Sequence, residues 1–171
     1  MSVSEITETR QYLTFKLGNE IFATDVAKVR EVLDLTPITV IPRTPEFMAG
    51  VINLRGSVVP VVDLRLCFGM SKTETTRNTC IVVVEILLET ESIVIGALAD
   101  SVEEVIDLEP EQIDPAPRIG THIRTEFIRG MGKRDTQFIM ILDIDRVFSA
   151  EDLAAMRTQE PASASLETAA A

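Results

Sequence analysis

Apolar and polar residues alternate along much of this chain with the period of a strand rather than a helix. Tyr12–Leu17 shows it plainly: Leu13, Phe15 and Leu17 fall on one face, with Thr14 and Lys16 between them. That pattern predicts a strand with one face in the core. Gly18-Asn19 supplies a two-residue turn into Ile21–Ala23, so a hairpin is expected. Cys80–Leu88 and Ser92–Ala99 predict a second hairpin around "LETE". Its first arm is too continuously apolar to alternate, as expected of a strand buried on both faces. From Gly50 to Gly69 the stretch "GVINLRGSVVPVVDLRLCFG" reads as strand, tight turn, strand and helical turn. Gly and Pro break the Val- and Ile-rich runs every 8 to 15 residues, which predicts many short strands. Only the C-terminus reads as helix. Ser149 with Asp152 resembles a capping box, and Ala150–Arg157 follow without a breaker.

The pattern also repeats. "VREVLDLTP" at Val29–Pro37 matches "VEEVIDLEP" at Val102–Pro110 in six of nine positions. "PEFMAGV" at Pro45–Val51 matches "TEFIRGM" at Thr125–Met131, and "VVPVVDLRLCF" matches "FIMILDIDRVF". The offset grows from 73 to 80 residues, so copy two carries a seven-residue insertion near "PAPRIGTHI". A duplicated all-strand unit of this size predicts two small β-barrels packed on one another. Val32 and Val105, Asp34 and Asp107, Phe47 and Phe127, and Gly50 and Gly130 recur in both copies, as expected of positions the fold itself requires. The segment Asn53–Gly56 has no such echo: copy two reads Lys133-Arg134-Asp135-Thr136. "NLRG" is therefore read as unnecessary to the hairpin and a candidate for a specific task.

Composition removes several function classes. The 171 residues are 46% hydrophobic and 25% charged, ordinary for a globular protein. A net charge of −11 repels phosphate backbones, so no nucleic-acid partner is expected. Cys67 and Cys80 sit in apolar runs without ligand spacing, and are read as reduced, buried thiols rather than metal ligands. The N-terminus has no apolar signal core, and no run reaches the length of a membrane span, so a cytosolic protein is expected. His122 is the only histidine, and no Ser or Cys motif pairs with it. Glu103-Glu104 and Asp143/Asp145 lie in stretches the repeat explains, and neither G-x-G-x-x-G nor a P-loop occurs. No catalytic residue, cofactor or metal is expected; a hydrolase would need a pocket enclosing paired carboxylates.

From Gln11 to Met156 the chain resembles the CheW family of bacterial chemotaxis. The resemblance rests on "YLTFKLGNEIFATDVAKVREVL", "PRTPEFMAGVINLRG", "GVINLRGSVVPVVDLRLCFG" and "EQIDPAPRIGTHIRTEFIRGMGK". It implies an all-β fold of two five-stranded SH3-like barrels around a shared core, with short helical turns and a C-terminal helix. The layout then expected is a flexible N-terminus over residues 1–9 and a CheW-like domain over 10–157. Within that domain, subdomains are expected at about 10–75 and 76–148, followed by a disordered tail over 158–171. The resemblance further implies a non-catalytic adaptor joining the cytoplasmic tips of chemoreceptors to the regulatory domain of the histidine kinase CheA. Membrane association would then be indirect, through receptor arrays at the inner face. A coupling module for another chemosensory output, such as surface motility, would use the same fold.

A binder of helical receptor tips needs an apolar groove with flanking charge. "DVAKVREV" offers Val26, Val29 and Val32 at a spacing of three, with Lys28, Arg30 and Glu31 between them. The stretch reads either as strand or as a helical turn passing into one. Val29 and Val32 recur as Val102 and Val105, so a core role competes with contact, whereas Val26 aligns with Ala99. The resemblance implies a coupling role for Glu31, and Glu104 repeats it. Arg55 is unechoed, on a turn and in the family signature; its guanidinium could fork onto a partner carboxylate or cap helix carbonyls. Asn53 and Gly56 beside it complete the expected partner-binding set.

Overall fold

β-branched runs separated by turn residues form strands, because branched side chains pack well on a pleated surface. The computed structural model describes residues 8–87, 91–115 and 127–148. In chain order these form β1 (Arg10–Leu17), β2 (Glu20–Asp25), β3 (Val29–Asp34), β4 (Met48–Leu54) and β5 (Ser57–Asp63). A short helix α1 (Leu64–Cys67) follows, then β6 (Cys80–Leu87), β7 (Ser92–Ala99), β8 (Ser101–Leu108) and β9 (Ile113–Asp114). The last strands are β10 (Ile128–Arg134) and β11 (Gln137–Leu142). The helix expected over Ala150–Arg157, the tail, His122 and the inserted segment lie outside the described residues.

The protein is mostly β and its strands form two sheets. The first has the order β8-β1-β2-β11-β10-β9, the second β3-β6-β7-β5-β4. Neighbours are antiparallel except β2 with β11 and β5 with β7, which are parallel. The repeat is visible in this order. β3 and β8, β4 and β10, and β5 and β11 hold matching places, and the hairpin β6–β7 stands in the second sheet where β1–β2 stands in the first. Neither sheet is a continuous stretch of chain. β1–β2 precede residue 75 yet complete the sheet of β8–β11, while β6–β7 complete the sheet of β3–β5.

The repeated residues explain themselves in this frame. Both copies carry a register shift at the same place, Met48/Gly50 on β4 and Ile128/Gly130 on β10. At both glycines another segment crosses closely. A Cβ on Gly50 would stand 2.2 Å from the Thr39 carbonyl oxygen, and one on Gly130 would stand 2.9 Å from that of Asp114. The phenylalanines pack reciprocally between the copies: Phe47 meets Phe148 at 5.9 Å, and Phe68 meets Phe127 at 4.7 Å between ring centroids. This is the exchange of contacts that a two-fold related pair would make, here within one chain.

The core has three parts, which accounts for a departure from the sequence pattern. A central cluster joins both sheets and holds Leu13, Phe15, Phe22, Phe68, Phe127 and Phe148, among others. Each sheet also encloses its own smaller cluster, Tyr12, Ala23, Ile106 and Ile141 in the first, Ile52, Val61, Ile81 and Val83 in the second. Strands inside each sheet, such as β6 and β1, are therefore buried on both faces. On β6, Val82, Val84 and Ile86 face the centre while Ile81 and Val83 face the sheet's own cluster, as its unbroken apolar run implied. On β1, however, the face opposite Leu13 and Phe15 is also buried: Thr14 is sequestered beside Tyr12. Its hydroxyl donates to the Glu104 carbonyl at 2.7 Å and accepts the Glu104 N–H at 3.1 Å. A residue that looks solvent-facing in the sequence thus mends a ladder at a register shift.

Candidate functional site

The β4–β5 connection is a two-residue hairpin turn, with Leu54 opposite Ser57. Its central residues, Arg55 (φ 51°) and Gly56 (φ 90°), both take positive φ, as a turn that matches strand twist requires. The Asn53 Oδ1 accepts the Gly56 N–H at 2.8 Å and closes the loop. Asn53 and Gly56 are thus the chemistry of the turn itself, which corrects the inference from the missing echo that "NLRG" is unnecessary to the hairpin. Copy two turns differently, with Asp135 at φ 56° between Arg134 and Gln137.

The turn holds the Arg55 backbone at the tip, and its side chain reaches back across the sheet end to β3. Nη1 donates to Glu31 Oε2 at 2.7 Å and Nη2 to Glu31 Oε1 at 2.9 Å. The fork anticipated for a partner's carboxylate is, in this chain, made to its own Glu31. The hydrogen bond from Arg55, with its positive charge, holds the Glu31 carboxyl below the usual carboxylate range. The Arg55 guanidinium is raised for the reciprocal reason. Beside this clasp Val58 lies exposed, Val32 is exposed on the opposite face of β3, and Arg30 pairs with Glu85 at 3.2 Å. A groove of about 510 Å³ runs along the clasp, lined by Arg30, Glu31, Arg55, Val58, Pro60 and Ile93 among others.

Of the expected residues, Arg55 and Glu31 line this groove, Asn53 and Gly56 close the turn that carries Arg55, and Val26 and Val29 lie outside it. "DVAKVREV" resolves into a 3-10 turn, Val26–Lys28, passing into β3. Val26 and Val29 are partly buried against the central cluster at the junction of the two sheets.

The structure adds a feature that residue-by-residue matching missed. Arg134, at the β10–β11 turn, pairs with Glu104 on β8, the repeat of the Arg55–Glu31 clasp displaced by one residue. Val105, which aligns with Val32, is exposed and lines a second groove of about 320 Å³ together with Glu104 and Arg134; Phe138, which aligns with Val58, is exposed on β11. The recurrence of Glu31 as Glu104 was the available signal; the shift of the arginine along the turn hid it. The other carboxylates that the sequence drew attention to are engaged elsewhere, Asp145 with Lys28 and Asp143 with Arg146.

A twin-sheet body that presents two exposed, charge-clasped apolar faces has the features of a scaffold. The comparisons with known proteins agree. The model of the CheW-like domain matches residues 11–152. The chain is 36% identical over 148 residues to "Chemotaxis protein CheW" of Klebsiella aerogenes, covering 86% of this chain and 87% of that one. It is 33% identical over 140 residues to "Probable chemotaxis protein CheW" of Rhizobium etli, covering 82% and 88%. The crystal structure of the scaffolding protein TtCheW from Thermoanaerobacter tengcongensis superposes with a TM-score of 0.74 at 36% identity, covering 84% of this chain and 90% of that one. The chain belongs to the CheW family. Its role is that of a coupling adaptor in chemotaxis.

Proposed function

We propose that this protein joins the cytoplasmic tips of chemoreceptors to the regulatory domain of the histidine kinase CheA. In that role it is cytoplasmic and is drawn to receptor arrays at the inner face of the membrane. The observation that carries this reading is the doubled face. An adaptor must hold two partners at once, and the Arg55–Glu31 clasp with the exposed Val58 is matched by Arg134–Glu104 with the exposed Val105. Each face combines exposed apolar area with a charge pair, the combination that partner surfaces use for burial and for selectivity. The family resemblance supplies a partner of like build, two SH3-like barrels in the kinase regulatory domain. Asn53 and Gly56 hold Arg55 at the tip; Val26 and Val29 contribute to contact from the inter-sheet junction.

The clasp suits exchange. An ion pair at the solvent boundary holds weakly, so an incoming carboxylate can take the Arg55 fork while Glu31 turns to a donor on the partner. Arg55→Ala is expected to leave the melting temperature within about 2 °C of the parent, as for surface substitutions. It is expected to weaken partner binding by on the order of tenfold or more. Arg55→Lys should be nearly as harmful, since an ammonium cannot make the two-pronged contact. Arg134→Ala is the comparison on the other face. The measurement is kinase activation in reconstituted receptor complexes, with thermal melts of each variant. Loss of coupling in step with an early melt would reduce Arg55 to a turn-holding residue and remove the proposal.

A further inference from the structure

Two carboxylates at the inter-sheet junction each do the same unusual thing. Asp100 connects β7 of the second sheet to β8 of the first. Its Oδ2 accepts the N–H of Gly18, at the tip of the β1–β2 hairpin, at 2.6 Å, and its N–H donates to the Lys16 carbonyl. The same Oδ2 takes the Arg65 guanidinium, on α1 just past β5, at 2.7 Å. Asp145 follows β11 of the first sheet. Its Oδ1 accepts the N–H of Leu87, the last residue of β6 in the second sheet, at 2.7 Å. Its Oδ2 meets Lys28 Nζ, from the turn between β2 and β3, at 2.7 Å. Each carboxylate therefore pins the hairpin tip of one sheet to the strand exits of the other.

The placement follows from the parallel pairs. β5 runs beside β7 and β11 beside β2, so their C-terminal exits lie together, and Arg65 meets Asp100 as Lys28 meets Asp145. The two latches sit at nearly repeat-equivalent places but with opposite polarity: Arg65 aligns with Asp145 at the 80-residue offset, and Asp100 aligns with Ala27, the neighbour of Lys28, at the 73-residue offset. An exchanged hairpin would bring Lys28 to Arg65 and Asp100 to Asp145, like charge against like. The side chains of the four residues are between 17% and 30% exposed, so these pairs are shielded more than the Arg55–Glu31 clasp at the tip.

We propose that Asp100 and Asp145 are positioning residues that fix the angle between the two sheets, and with it the relative placement of the two partner faces. The second clause rests on the coupling role proposed above. The apolar contact between the sheets is non-directional and by itself tolerates small rotations. Charge-assisted hydrogen bonds at two separated points are directional and do not. One face rides on the second sheet through Arg55 and Glu31, the other on the first through Arg134 and Glu104, so angle becomes spacing.

The test uses the full chain with Cys67 and Cys80 replaced by Ala and spin labels at Asp34 and Asp107, exposed repeat-equivalent sites on β3 and β8. Distance distributions are recorded for the parent, Asp100→Ala, Asp145→Ala, their combination, and Asp114→Ala. Asp114 pairs with Lys133 inside one sheet and serves as control. In the combined variant the distribution should broaden about twofold or shift, and kinase activation in the three-part complex should fall by about tenfold or more. Affinity for each partner alone should change by less than about threefold, because geometry governs only simultaneous engagement. If the combined variant does not fold, the single variants are read by the same criteria. An unchanged distribution overturns the proposal, as does a control that broadens equally or an activation loss matched by pairwise affinity. A parent that binds neither partner sinks the coupling role instead, and the distance measurement still decides the latch.

Discussion

Gly50→Ala should be among the most damaging single-methyl additions in this protein. The residue sits at the register shift of β4 with φ 148°, backbone that L side chains rarely adopt. A methyl there would lie 2.2 Å from the Thr39 carbonyl oxygen, 2.8 Å from its carbon and 2.7 Å from Ile38 Cγ2. Relief requires the crossing segment to withdraw by about 1 Å, far more than close-packed interiors accommodate without strain. That movement breaks the reciprocal Thr39–Val51 hydrogen bonds of 2.8 and 2.9 Å, worth about 1 kcal/mol each. Backbone strain adds about 1–3 kcal/mol, so the total is about 3–5 kcal/mol. For a domain of this size that lowers Tm by roughly 10 °C. The assay is a thermal melt with urea titration, run beside Gly69→Ala. Gly69 also has positive φ, 78°, but nothing lies within 4 Å of its would-be Cβ, so about 1–2 kcal/mol is expected there. If Gly50→Ala melts within about 2 °C of the parent, or no lower than Gly69→Ala, the close crossing is not what demands glycine, and the reasoning fails.

Other outcomes follow from buried polar groups and the clasp. The Thr24 hydroxyl is buried without a hydrogen-bond partner among the described residues, and Thr24 lines a small cavity of about 10 Å³ with Phe15, Leu64 and Val84. Thr24→Val should therefore raise stability by about 1 kcal/mol, read as a higher urea midpoint; a lower midpoint would show that the hydroxyl has a partner. Asp63 is buried and accepts from the Arg65 N–H, the Thr73 N–H and the Thr73 hydroxyl. Asp63→Ala should cost about 3 kcal/mol by orphaning these donors, with Asn recovering part; equal melts for all three would contradict this. The Glu31 carboxyl, lowered by Arg55, favours the clasp above the ordinary glutamate range, and the clasp is lost as pH falls through the lowered value. Carboxyl NMR titration should show a Glu31 midpoint below that of a free glutamate, rising in Arg55→Ala; a midpoint indifferent to Arg55 would refute the pairing in solution.

Local patterns carried a good part of the fold. The hairpin arms at Tyr12–Leu17 and Cys80–Leu88 were readable because strand period and turn residues are short-range signals. The repeat was readable because both copies kept the residues that shape and packing require. Within the candidate site, Arg55, Asn53, Gly56 and Glu31 could be named from the turn and the family signature. The second face could not, because Arg134 occupies a different place on its turn from Arg55 and comparison position by position passes over it.

What the sequence by itself determined is the hairpin arms and their turns, the duplication and the polar tip at Arg55. All of these depend on residues near one another in the chain or on matching segments. Only the tertiary structure decided which strands become neighbours. Backbone ladders bond alike whatever the side chains, so Val- and Ile-rich strands do not name their partners. The exchange of hairpins between the halves is set by packing on both faces of every sheet and by contacts such as Gly18 with Asp100 and Leu87 with Asp145, 82 and 58 residues apart. Arg55 found Glu31, 24 residues away, for the same reason: the sheet brought the tip of one hairpin beside the side of another strand, and Coulomb attraction did the rest.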